Sequence, residues 1–76
     1  MEGPKSMDGR LLVSLRAARG WTRERLAAEA GVSLATIWRM ERGHLPRVQH
    51  LIGVADALGV SIDALLGRSD FAQLGD

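Results

Sequence analysis

Seventy-six residues, with 10 Lys and Arg against 9 Asp and Glu for a formal net charge of +1, make one small domain that buries only about 60% of its unfolded surface. There is no Cys for a disulfide frame or a thiolate metal site, and the two histidines, His44 and His50, have no ligand cluster beside them, so neither a metal nor a cofactor is expected. No run of about 20 apolar residues could cross a bilayer and the opening MEGPKSMDGR lacks the apolar stretch of a signal peptide, so the expected setting is the cytoplasm, with no membrane partner.

The near-zero total conceals a polarity. Residues 10–50 hold eight Arg and three Glu, a balance of +5, whereas residues 51–76 hold one Arg and four Asp, a balance of −3. Such asymmetry points to an anionic partner for the first half, nucleic acid foremost, against the plainer reading of a solvated charged face.

In chain order, residues 1–7 are expected to be a flexible arm or an expression remnant, residues 8–67 the domain and residues 68–76 a tail. The run DGRLLVSLRAAR, from about Asp8 to Arg19, predicts a first helix with Leu12 and Leu15 on its buried stripe, Arg16 beside them and Gly20 as its stop. Leu11 and Val13 fall off that stripe and are expected at the surface. Thr22 can cap a second helix, with Trp21 and Leu26 spaced as a hydrophobic staple and Gly31 ending it. Ser33 repeats the design: it caps a third helix with Val32 and Ile37 as the staple, and Gly43 closes it. Leu26 with Ala30, and Ile37 with Met40, give each helix one narrow buried stripe. Ala27 is small enough to let the two helices cross closely around the Gly-containing turn, as in a helix-turn-helix. That leaves Leu34, Ala35, Trp38, Arg39 and Arg42 facing outward.

After the short connection HLP, Pro46 suits the first position of a fourth helix, whose stripe reads Val48, Leu51, Ile52, Ala55 and Leu58. Gly53 inside it signals a close approach or simple tolerance, since glycine costs about 1 kcal/mol relative to alanine there. Gly59 ends this helix; Ser61 caps a last short one with Asp63 in its first turn, and Gly67 stops it. In the tail RSDFAQLGD, Phe71 and Leu74 are spaced to dock as one more helical turn. The expected core is Leu12, Leu15, Leu26, Ala27, Ala30, Val32, Ile37, Met40, Leu51, Ala55, Leu58 and Leu65, in an all-α bundle of five helices.

With these segments in order, LRAARGWT, LAAEAGVS, ATIWRMERG and LIGVADALGVSIDALLG, the chain from Gly9 to Gly67 resembles the phage-repressor type of helix-turn-helix domain, the lambda-repressor, Cro and XRE-like family. The resemblance implies a compact five-helix domain whose third helix, residues 33–42, enters the major groove of double-stranded DNA. It places Leu34, Ala35 and Arg39 at base edges, Ser33 and Thr36 at phosphates or bases, and Trp38 and Arg42 on the same face. Arg39 has a fork suited to guanine O6 and N7, whereas Leu34 and Ala35 depart from the amide or charged side chains common in the family, leaving thymine methyls or DNA shape to be read. Arg23 stands where the family commonly has Gln and is assigned to phosphate. Arg16 and Glu41 fall where the resemblance puts an internal ion pair; two independent surface charges are the plainer alternative.

No Ser, His and acid set, phosphate-cradling glycine loop or metal cluster supports an enzyme. The reading is a transcriptional regulator, by resemblance a repressor, acting as a homodimer on a palindromic operator. Its pairing surface is expected at the acidic end, around Leu66, Phe71 and Leu74, with Asp63 and Asp70 facing away from DNA. The competing reading is a protein-interaction module, such as an antitoxin-like partner, anchored by Trp38.

Overall fold

A side-chain oxygen starts four of the five helices, by accepting backbone N–H groups that the first turn leaves unpaired. The structure, a computed structural model, describes residues 7–67. Asp8 Oδ1 accepts from the amides of Arg10 (3.0 Å) and Leu11 (3.4 Å), opening α1 (Gly9–Ala18). Thr22 Oγ1 accepts from the Arg25 amide at 3.0 Å and opens α2 (Arg23–Ala30). Ser33 Oγ accepts from the Thr36 amide at 3.1 Å and opens α3 (Leu34–Glu41). The fourth helix, α4 (Val48–Leu58), follows Arg47 with no side-chain cap, so Pro46 precedes the helix instead of occupying its first position. Ser61 Oγ, accepting from the Ala64 amide at 3.0 Å, opens α5 (Ile62–Leu65). Phe71, Leu74 and Asp70 lie outside the described residues.

The turn between α2 and α3 depends on Gly31, whose φ of 71° lies in the left-handed region that side chains with a Cβ avoid. It reverses the chain so that α2 packs against both α3 and α4, while α1 packs on α3 and α5 on α4. Leu12, Leu26, Ile37, Met40, Val54 and Leu65 are the fully buried centre, bordered by Ala27, Leu51, Ala55 and Leu58. Leu15, Ala30 and Val32 sit at its edge, half-buried.

Four residues depart from the expected pattern in α4 and at the N-terminus. Val54 is buried where the sequence offered Val48 and Ile52, and both of those are exposed. Each residue turns a helix by about 100°, so Ile52 lies a quarter turn beyond Leu51 and Val54 returns to the inner face. Met7, assigned to the arm, is buried, and its amide donates to the Gly43 carbonyl at 3.0 Å. At the other places where the expectation fails, Leu11 and Val13 are half-buried, not surface residues, and Leu66 packs against the core instead of standing free for pairing.

Gly53 marks the closest approach of α2 and α4. A Cβ there would lie 2.5 Å from the Ala30 carbonyl oxygen, a backbone atom with no freedom to swing aside. Gly53→Ala therefore gains about 1 kcal/mol of helix propensity but forces the helices apart, at a cost of about 1–3 kcal/mol for overpacking. The expected net result is a lower midpoint in thermal unfolding; a raised midpoint would show that α4 can shift without loss.

Candidate nucleic-acid interface

The α3 helix has two chemically distinct sides. Ile37 and Met40 have no exposed surface and hold the helix in the core, while Leu34, Ala35, Trp38, Arg39 and Arg42 face solvent. Leu34 is 43% and Trp38 49% exposed, large values for side chains of this size. The Arg42 guanidinium lies over the Trp38 ring, 4.9 Å from its centroid, and the cation–π contact restrains both side chains. Arg39 makes no hydrogen bond or ion pair among the described residues, so its donor fork is available to a ligand.

Thr36 is placed differently from the rest of the expected set. It is buried, and its Oγ1 lies 3.0 Å from Ser33 Oγ, so it braces the cap of α3 and is not brought to the exposed face. Ser33 itself is exposed, with Oγ engaged by the Thr36 amide.

The orientation of α3 is set by a carboxylate at its last residue. Glu41 Oε2 accepts from Arg16 Nε at 2.7 Å and Oε1 from Arg23 Nε at 2.6 Å, and Arg16 Nη2 approaches Oε1 at 3.5 Å. The Glu41 side chain is 6% exposed, that of Arg16 14% and that of Arg23 46%. Arg16 Nη1 also donates to the Trp21 carbonyl at 2.9 Å, so one guanidinium ties α1 to α3 and to the segment leading into α2. The family resemblance implies the Arg16 pair, and the two charges are not independent; the share taken by Arg23 is new, because its expected partner was a phosphate. Only one nitrogen of Arg23 is engaged, and no acceptor for its terminal nitrogens occurs among the described residues.

Beside α3, a cleft of about 390 Å³ opens toward the connection to α4 and is lined in part by Arg39, His44, Arg47 and His50. Arg47 and the two histidines had been given no role. Their signal in the sequence was weak: basic residues around a proline read as an ordinary loop. Among the described residues, no group of His, Asp and Glu gathers as a metal site, and no helix is long and apolar enough to cross a membrane.

Residues 12–65 match the helix-turn-helix family HTH_3. The chain is 41% identical over 58 residues to the cryptic phage CTXphi transcriptional repressor RstR of Vibrio cholerae, a match covering 75% of this chain and 52% of the repressor, so the chain spans about half that protein's length. It is also similar to the N-terminal DNA-binding domain of the biofilm regulator SinR from Bacillus subtilis, with 32% identity and a TM-score of 0.70 over 79% of this chain and 90% of that one. The restriction-modification controller protein C.AhdI from Aeromonas hydrophila is 29% identical, with a TM-score of 0.69 over 75% of this chain and 88% of its own.

Removing Glu41 would strand the Arg16 guanidinium in a nearly dry site. Glu41→Ala and Arg16→Ala are each expected to cost about 3–5 kcal/mol, the usual penalty for breaking a buried pair. Arg23→Ala should cost no more than about 1 kcal/mol, because its half-exposed charge is screened. Urea denaturation of the three variants measures the ordering, and equal losses for Arg16→Ala and Arg23→Ala would contradict it.

Proposed function

The chain belongs to the helix-turn-helix family HTH_3, and from that premise we propose that it is a sequence-specific double-stranded-DNA-binding transcriptional regulator that inserts residues 33–42 in the major groove and acts as a repressor. The observation that carries this reading is the outward side of α3, where an uncommitted Arg39 stands beside exposed apolar side chains on a helix fixed by its inner face. The excess of arginine over glutamate in residues 10–50 supports an anionic partner, and likeness to a phage repressor and to a DNA-binding domain supports DNA in particular.

The roles divide by chemistry. Arg39 is assigned to a guanine edge, whose O6 and N7 fit its fork. Arg23, Arg42 and Ser33 are assigned to the sugar-phosphate backbone, with Thr36 acting through Ser33. The proposed role is binding, not catalysis, in the cytoplasm and with no cofactor. One such module buries roughly 600–1,000 Å² of protein surface on DNA, the low end for selective recognition. A two-fold dimer with recognition helices about 34–36 Å apart on a palindromic operator doubles that surface.

Two measurements follow. Arg39→Ala should weaken binding by about 1–3 kcal/mol and relax preference at one base pair, whereas Arg23→Ala should lower affinity for all sequences alike; competition by single-base operator variants separates the effects. Uniform loss for both would make Arg39 a phosphate contact. In sedimentation of the saturated complex, two chains should travel with each full operator, and one chain per duplex would remove the dimer from this reading.

A further inference from the structure

The cleft of about 390 Å³ beside α3 has no part in the reading above, although it gathers four basic side chains from three segments. Arg39 comes from α3, His44 from the connection, and Arg47 and His50 from the start of α4. The His44 amide donates to the Arg39 carbonyl at 3.0 Å, which folds the connection back against the end of α3 and keeps the two residues together at the cleft.

No carboxylate lines this cleft, and α1, α2 and α5 contribute no residue to its lining. Of the acids on the bordering helices, Glu41 is taken by Arg16 and Arg23. Asp56 lies six residues beyond His50, about 600° of helix rotation, and so emerges on another side of α4. The ion pairs of the described residues join Asp8, Glu29 and Glu41 to other arginines, so none of them offsets the four basic groups. Helix α4 also starts without a side-chain cap, and the positive end of its dipole adds to the same sign. A concavity with this much unbalanced positive charge is suited to an anion.

The four groups differ in one respect. A guanidinium stays charged at every working pH, whereas histidine is the side chain whose charge ordinarily changes between about pH 5 and pH 8. The cleft thus holds two permanent positive charges and two that depend on the proton. Arg39 also lines the outward patch with Leu34, Ala35 and Trp38, so a duplex whose base edge meets Arg39 runs its sugar-phosphate strand past the mouth of this cleft.

We propose that His44 and His50 make the grip on DNA proton-dependent: the cleft takes up protons as it receives a phosphate of the duplex backbone, and affinity rises on acidification. The inference rests on the DNA-binding reading above and adds a regulatory input to it. Its direction follows from linkage. A phosphate beside an imidazole favours the charged form, so the complex binds more protons than the free protein. The gain is complete where both imidazoles are charged and is lost as pH rises through the range in which they discharge.

The test selects a bound duplex from a random pool, then measures its affinity for the full chain at fixed ionic strength from about pH 5.5 to about pH 8. Affinity is expected to fall by about three- to tenfold per histidine across that range. The salt dependence should be steeper at the acidic end, by up to about 0.9 in log–log slope for each added cation. His44→Gln and His50→Gln should each remove part of the pH dependence and together all of it, whereas His44→Arg with His50→Arg should bind tightly at every pH. Helical circular dichroism over the same range shows which variants keep the parent fold. An affinity of the parent that does not change with pH overturns the inference, needs no variant, and leaves the DNA-binding reading standing. A pH dependence that persists in a folded double variant, Gln or Arg, also overturns it, since another group then takes up the proton. Failure to enrich any duplex at either end of the range overturns the DNA-binding reading, and this one with it.

Discussion

A carboxylate held by two arginines governs how this domain presents its third helix. Glu41 ends α3, where the helix dipole disfavours a negative charge by about 0.3–1 kcal/mol, so the residue would be a poor choice there in isolation. The guanidiniums of Arg16 and Arg23 reverse that balance, and Arg16 itself sits in the last turn of α1, where a cation is favoured. Each oxygen of Glu41 has a close Nε donor, which is the condition for a buried charge to be tolerated. The interaction fixes direction more than it adds stability: the three charged groups come from α1, α2 and α3, and satisfying them together leaves α3 one orientation relative to the other two helices.

The packing around that clamp is equally specific. Gly9, the first residue of α1, is buried against the backbone of Met40 and Glu41, and a Cβ there would collide with the Glu41 carbonyl. The Met7 amide, bonded to the Gly43 carbonyl, continues the same junction past the end of α3. At the other side of the bundle, Gly53 brings α4 against the end of α2, and Arg19 donates to the Leu58 carbonyl, tying the ends of α1 and α4 together. Helix α3 is therefore restrained through its last turn by α1 and through its inner side chains by the core, whereas its outer side chains carry no structural duty.

What could be read from the letters was what depends on local chemistry. The caps Thr22, Ser33 and Ser61 follow from a hydroxyl preceding a helical run, and the turn at Gly31 from the need for positive φ. The opposed faces of α3 were legible because Ile37 and Met40 are its inward residues at helical spacing. What depends on contacts distant in sequence was harder. A periodic pattern allowed two neighbouring stripes on α4, and only the crossing at Gly53 selects the one with Val54 over the one with Val48 and Ile52. Met7 belongs with the core because of a hydrogen bond to Gly43, thirty-six residues away, which no local signal announces. The second arginine on Glu41 was hidden for a different reason: its exposed position suited a phosphate contact, and half of its side chain does remain exposed.

This separation of duties has an energetic consequence for recognition. Substitutions at Leu34, Ala35, Trp38 and Arg39 touch neither the core nor the Glu41 clamp, and surface changes of that kind ordinarily alter stability by no more than about 0.5 kcal/mol. The outward face of α3 can thus vary while the scaffold stays the same. Leu34 and Trp38 are 43% and 49% exposed, so covering them removes apolar surface from water. The stacking of Arg42 on the indole limits the freedom of Trp38 before any partner arrives, so less conformational entropy is lost on binding. The apolar patch offers shape without hydrogen bonds, and the guanidinium of Arg39 beside it offers the directional donors that the patch lacks.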